Sequence, residues 1–188
     1  MRGLLTVKAL AAIRQVADCA RAAAVRRDLI MAGTGFTPRS MSVVSAQKLP
    51  VDCGMGDIYG SKWTHGLLAA VTGQRPQEVR HSVEWGVANF LEARGDTHGA
   101  HRDDYPIAFV LIVRAPNIGG EVLYSPTNSD ELSGVLSLAA GDAYAMRADR
   151  ILHAVAPVSD GTRAALVFAY NFAGNEVQIT PSASMLYE

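Results

Sequence analysis

The chain has 188 residues, of which 49% are hydrophobic and 19% charged, with a net charge of −1. That length and apolar content fit one folded domain with its own core and exclude a disordered chain. The basic residues are scattered rather than striped, which argues against a nucleic-acid partner held by phosphate neutralisation.

Residues 4–31 carry a helical repeat. Leu10, Ile13, Val16, Ala17, Ala20 and Ala24 recur at three and four, with Lys8, Arg14, Arg21 and Asp28 on the other faces. The pattern predicts a surface helix. Its apolar face suits a core contact or a homodimer contact, and the sequence leaves both open. Lys8 and Arg14 interrupt the apolar run before signal-peptide length, and no span of about 20 apolar residues occurs, so no membrane partner is expected. The two cysteines, Cys19 and Cys53, form no CxxC pair and no zinc spacing. No disulfide framework is therefore expected, and a reducing cytoplasmic setting fits.

Gly33 and Gly35 are read as the stop of this helix, with Pro38 beyond. A second short helix is predicted over 61–72, SKWTHGLLAAVT, closed by Gly73. Short strands are predicted at 40–46, 80–91, 98–103, 106–113, 120–124, 135–138, 142–147, 151–157, 163–171 and 176–179, separated by turn residues. The fold class is mainly β with N-terminal helices (α+β), a β-sandwich or closed barrel. One domain is expected over 1–188, with 1–75 as helical support and 76–188 as the β core; no repeat or linker divides it.

The segment DTHGAHRDDYPIAFVLI, residues 96–112, crowds histidines and acids at the mouth of a hydrophobic strand. In a strand, positions i and i+2 share a face, so His101 and Asp103 project together with Arg102 on the reverse. Downstream, RILHAVAPV places His153 in a second apolar strand. A lone histidine there is more often a core residue than a ligand. Two histidines and one carboxylate drawn from two strands, however, make the facial triad of non-haem Fe(II) oxygenases, which leaves metal positions open. Arg163 follows His153 by ten residues and shares a strand face with Ala165, Val167 and Ala169. An arginine on an inward apolar face is costly without an anion, and its planar fork suits a carboxylate. The alternative is a strand-end arginine reaching solvent from the turn at 160–162.

The HRD at 101–103, His153 about fifty residues later and Arg163 ten further on resemble the Fe(II)/2-oxoglutarate-dependent oxygenases. The runs GDTHGAHRDDYPIAFVLIVRAPNIGGEVLYSP and GDAYAMRADRILHAVAPVSDGTRAALVFAYN are similar to small bacterial biosynthetic members that hydroxylate or halogenate free amino acids. The likeness is good over residues 84–172 and loose in the N-terminal third. It implies a double-stranded β-helix (jelly-roll) core. It also implies Fe(II) on His101, Asp103 and His153, 2-oxoglutarate with its distal carboxylate on Arg163, and O₂ as co-reactant. Many members carry Ser two residues after that arginine; this chain has Ala165, so Asn89 or Tyr144 is the candidate second donor. Halogenating relatives replace the triad acid with Gly or Ala, which opens a position for chloride. With Asp103 present, the resemblance implies hydroxylation or another oxidation rather than halogenation.

In that branch, acids at the positions of Glu84 and Asp104 hold a substrate amine, and bases at those of Arg39 and His98 hold a substrate carboxylate. A buried zwitterion needs such complementary partners. Plainer readings exist for each: Glu84 pairing with Arg80 at the surface, Asp104 capping the turn before Pro106, His98 orienting His101. Trp63 and Trp85 are read as core, and the loop 126–134 as a polar lid over the metal strands. Two other functions compete. One is a cupin-like isomerase or lyase that does not use 2-oxoglutarate, disfavoured because such sites lean on HxH. The other is a non-catalytic small-molecule-binding jelly roll, disfavoured by an intact triad plus Arg163.

Overall fold

The computed structural model describes residues 1–31, 37–127, 129–177 and 181–187. Helix α1 spans Val7–Ala23, and the hydroxyl of Thr6 caps it by accepting from the Ala9 N–H at 3.2 Å. The helix stops earlier than expected. Residues Val25–Met31 form strand β1, antiparallel to β2 (Thr37–Ser45), with Val25 opposite Val43 and Met31 opposite Thr37. Arg27, Leu29 and Met31 turn inward at alternate positions, so period two, not the helical repeat, governs this stretch. The expected stop at Gly33 and Gly35 lies outside the described residues. Residues 1–75 are thus not helical support alone, because two strands of the sheet come from them.

Two short helices follow, α2 (Met55–Tyr59) and α3 (Lys62–Thr72), the latter ending on Gly73 in the left-handed region (φ 71°), as the sequence indicates. The remaining strands are β3 (Pro76–Glu78), β4 (Gly86–Leu91), β5 (Thr97–His101), β6 (Ile107–Arg114), β7 (Val122–Tyr124), β8 (Gly134–Leu136), β9 (Ala143–Met146), β10 (His153–Val155) and β11 (Arg163–Phe172). Helix α4 (Ser182–Tyr187) comes last. Among the expected strands, 80–91 shrinks to its second half, 98–103 ends at His101, and residues 176–177 are not strand. Residues 178–179 of that last expected strand lie outside the described residues.

Among the described residues the strand pairings are all antiparallel, in the order β8-β7-β10-β5-β2-β4-β11-β6-β9, with β1 on β2 and β3 on β11. This is the curled sheet of a double-stranded β-helix, or jelly roll. Strand alternation divides it into two faces. Phe90, Phe109, Leu111, Leu166, Phe168 and Tyr170 point to the main core, which α1, α2 and α3 cover through Ala17, Ala20, Tyr59 and Leu68. Their neighbours Asn89, Val110, Arg163 and Val167 point the other way, into a cavity. The core holds the sheet; the opposite face is left free for chemistry. Among the described residues, no helix is long and apolar enough to cross a membrane.

Cys19 in α1 and Cys53 in the short 3-10 turn Val51–Cys53 form a disulfide with Cα atoms 5.9 Å apart. This corrects the expectation of unpaired cysteines. Spacing in the chain carries no sign of it, since the partners meet only when α1 packs beside that turn.

Candidate active site

His101 closes β5 and stands directly opposite His153, the first residue of β10. Asp103 lies beyond the strand end, and its backbone N–H donates to the Ala148 carbonyl at 2.9 Å. That bond turns the chain so that Asp103 Oδ1 reaches 3.2 Å from His101 Nε2 and 3.6 Å from His153 Nε2. The two side chains do meet, as i, i+2 positions would, although a bend rather than a continuous strand brings them together. One ligand atom from each of the three residues falls within 4.8 Å of the others.

Backbone carbonyls fix both rings. His101 Nδ1 donates to Gly99 O at 2.8 Å and His153 Nδ1 donates to Ile151 O at 3.0 Å. Each Nε2 is left to face the centre, the arrangement by which outer hydrogen bonds orient metal-binding imidazoles. Burial, with the nearby His101, pushes His153 down to about 4. Burial drives the Asp103 carboxyl up, but His153, His101 and Arg39 outweigh it and hold it below the usual carboxylate range. A neutral His153 imidazole and an ionised Asp103 carboxylate are the forms in which these groups bind a divalent cation. The donor set therefore fits Fe(II).

Arg163 is 4% exposed and points into the same cavity. Solvent does not reach it freely, so the reading as a strand-end surface arginine falls away. Gly120 makes room for its stem, since a Cβ there would lie 3.3 Å from Arg163 Cδ. Burial lowers the arginine pKa, with Tyr144 opposing; burial raises Tyr144, with Arg163 opposing. Asn89 stands opposite Ala165 across β4 and β11, and its buried side-chain oxygen has no protein partner. Both candidate second donors thus share the cavity with Arg163.

The four expected substrate residues also line this cavity. Arg39, 1% exposed, faces His98 across β2 and β5. Its Nη1 donates to Gly99 O, Thr37 Oγ1 and Pro38 O, while its buried Nε has no partner. Burial lowers Arg39 to about 10. The His98 ring stacks on His101 at 4.2 Å, and its Nε2 is buried without a partner. Burial, then His101 and Arg39, hold His98 neutral far below its ordinary range. His98 does not orient His101 by a hydrogen bond, because Gly99 O already takes Nδ1.

Glu84 sits in the turn before β4, not in the expected strand, and its N–H donates to Ser82 Oγ at 3.1 Å. Its Oε2 is buried without a partner, and burial, with Asp103 and Asp104 adding, raises the carboxyl to about 8. Arg80 pairs with Glu78 at 2.5 Å instead. Asp104 lines the cavity beside it.

Arg102, expected on the reverse side, also reaches the cavity and ties the loop after β7 through Asp130 at 2.8 Å. Within the expected lid 126–134, residue 128 lies outside the described residues. Trp85 is core, as expected, whereas Trp63 is 48% exposed on α3. Leu186 and Tyr187 of α4 were not anticipated: they line the cavity from a segment with no motif to mark it.

The cavity therefore pairs three candidate ligand atoms with a buried guanidinium on one side, and on the other Arg39, His98 and Glu84, each with one buried polar atom that no described residue satisfies. The halogenase D family (HalD) matches residues 1–184. No curated protein matches the chain. Among solved structures, the chain is similar in fold to a 2OG-Fe(II) oxygenase family oxidoreductase from Burkholderia pseudomallei, at 18% identity and a TM-score of 0.67, covering 90% of this chain and 82% of that one. A prolyl hydroxylase from Trichoplax adhaerens, in complex with a hypoxia inducible factor peptide fragment, is similar at 13% identity and TM-score 0.67 over 92% and 82% of the two chains. The α-ketoglutarate-dependent epimerase SnoN of nogalamycin biosynthesis is similar at 17% identity and TM-score 0.65 over 93% and 78%.

Proposed function

The chain belongs to the halogenase D family, and from that premise we propose that it is an Fe(II)- and 2-oxoglutarate-dependent oxygenase acting on a free amino acid or close derivative. The observation that carries this reading is the convergence of His101, Asp103 and His153 within 4.8 Å, in a cavity that also holds the buried Arg163. His101, Asp103 and His153 would hold the iron, and Arg163 the distal carboxylate of 2-oxoglutarate, with Asn89 or Tyr144 beside it. When bound, iron with 2-oxoglutarate and O₂ supplies the oxidising power to break an unactivated C–H bond, releasing succinate and CO₂.

The protein's part is placement. Arg39 and His98 offer donors to a substrate carboxylate, and Glu84 and Asp104 offer oxygens to an ammonium. Each of Arg39, His98 and Glu84 keeps a buried polar atom without a protein partner, which is costly unless a ligand supplies one. A zwitterion satisfies both ends at once, and its ammonium would draw Glu84 into the ionised form.

The proposed outcome is hydroxylation rather than halogenation, although the family is named for the latter. Asp103 supplies a carboxylate where chloride would otherwise need an open position. The test is succinate formation with Fe(II), ascorbate and 2-oxoglutarate under air, across a panel of free amino acids, with product mass read in parallel. Succinate that depends on both iron and one amino acid, with a product heavier by one oxygen, is expected. A chlorinated product would sink the hydroxylase reading. No 2-oxoglutarate binding to iron-loaded protein would sink the oxygenase reading itself.

A further inference from the structure

We propose that Tyr105 is a specificity-determining residue whose hydroxyl contacts the substrate ammonium beside Glu84, so that the pocket selects a primary ammonium over an N-methylated one. The proposal deepens the pocket reading above and rests on it.

The Tyr105 hydroxyl is buried with no hydrogen-bond partner among the described residues, and the contacts proposed for iron, 2-oxoglutarate and the zwitterion leave it unused. The residue is 3% exposed. Its ring belongs to the main core, yet it also lines the cavity that holds Glu84 and Asp104. It follows Asp104 directly and precedes Pro106, which restricts the backbone of the residue before it. A ring packed in the core and a restricted backbone fix where the hydroxyl stands. An unsatisfied hydroxyl there is costly unless a ligand completes it.

Glu84 Oε2 is another such atom in the same cavity, and since both lack partners, neither satisfies the other. Burial raises the Tyr105 phenol, Ser82 opposes, and Glu84 and Asp104 add to the rise. The hydroxyl thus stays protonated and stands close enough to both acids to feel their charge. A carboxylate only accepts and an ammonium only donates, whereas a phenol does both. It can take one N–H from the ammonium and give its own hydrogen to an acid. A primary ammonium brings three N–H donors, for Glu84, Asp104 and Tyr105. Each N-methyl group removes one donor and leaves a buried oxygen unmet.

The test compares the full chain with its Tyr105→Phe variant, which keeps the ring. The first readout needs no turnover. Without ligand, the Tm of Tyr105→Phe should equal or exceed that of the parent, because the hydroxyl it removes is unsatisfied. A lower Tm would mean that the hydroxyl holds the fold together and would overturn the assignment. The amino acids of the panel are then added at saturation under nitrogen, with Fe(II) and 2-oxoglutarate present. The one that stabilises the parent most should raise the Tm of Tyr105→Phe by about 3 °C less, the deficit that a tenfold loss of affinity produces in a domain of this size. Equal stabilisation would remove Tyr105 from the substrate and leave the zwitterion pocket standing. No stabilisation of the parent by any amino acid would sink the pocket reading and this proposal with it.

The second readout is succinate formation under air with that amino acid against its N-methyl form; where the side chain also carries an amine, each nitrogen is methylated in turn. The parent should disfavour one N-methyl form about tenfold or more in kcat/KM, and Tyr105→Phe should narrow that ratio about tenfold. Tyr105→Phe should also raise KM for the unmethylated amino acid several-fold and leave KM for 2-oxoglutarate unchanged. N-methyl forms used by the parent as well as the primary amine would overturn the selectivity. If the parent makes no succinate at all, the oxygenase reading fails, while the Tm result still decides the Tyr105 contact.

Discussion

Arg39 and His101 share one acceptor. The carbonyl oxygen of Gly99 takes Arg39 Nη1 at 2.9 Å and His101 Nδ1 at 2.8 Å. A proposed substrate anchor and a proposed metal ligand are thus aimed by the same peptide group. A Cβ at position 99 would lie 2.7 Å from Pro38 Cδ and 2.8 Å from the Pro38 carbonyl oxygen. Gly99→Ala should push β5 from β2 and disturb both groups together. The expected result is a loss of about tenfold or more in iron affinity, with a parallel loss in amino-acid binding, read by titration calorimetry. A loss in one without the other would show that the shared carbonyl does not couple them.

Asp103 is the acid of the proposed triad, and His153 and His101 hold its half-buried carboxyl below the usual carboxylate range. Asp103→Asn keeps the shape and removes the charge. Iron affinity should fall by about 100-fold or more, beyond the range seen for outer-sphere changes. Metal content after dialysis against Fe(II) under anaerobic conditions measures it. Iron retained at one equivalent would remove Asp103 from the metal centre.

Arg163→Lys keeps a charge but loses the planar fork. Bidentate hold on a carboxylate should be lost, raising KM for 2-oxoglutarate about 10- to 100-fold, or about 1.4–2.7 kcal/mol. KM for the amino acid should move little. The reverse pattern would assign Arg163 to the substrate instead.

Glu84 sets a pH dependence. Its carboxyl is raised to about 8 in the fold from an ordinary 4.5, mainly by burial. The folded state then holds more protons than the unfolded state between those values, so the contribution of Glu84 to stability is fullest below 4.5 and is lost as pH rises through 8. Glu84→Gln should remove that falling limb. The Tm of the metal-free variant, relative to the parent, should climb between pH 5 and pH 8, by about 3 °C or more at the upper end. Parallel Tm curves would mean that Glu84 ionises freely in the fold.

The disulfide between Cys19 and Cys53 closes a loop with a sequence separation of 34. Loop-closure entropy for that length corresponds to about 3–4 kcal/mol. Reduction, or Cys19→Ser, should lower Tm in proportion, and iron affinity should hold because the triad lies on other elements. Equal Tm with and without reductant would argue that the bond contributes nothing to the fold in solution.

Local sequence determined a good deal. The apolar run over 106–113 placed the strand that became β6, and period two puts Phe109 and Leu111 on one face with Ala108 and Val110 on the other, though only packing tells core from cavity in so apolar a run. HRD at 101–103, His153 and Arg163 pointed to the proposed metal centre and anion site, and the fold brings these four side chains into one cavity. The tertiary structure decided the rest. Residues 25–31 became a strand because β2 offered an edge to pair with, which outweighs a helical repeat carried over from α1. Cys19 met Cys53, and Arg39 met His101 through Gly99, only once distant segments had packed. Tyr187 entered the pocket from a helix with no motif of its own. These are contacts between segments far apart in the chain, and periodicity describes one segment at a time.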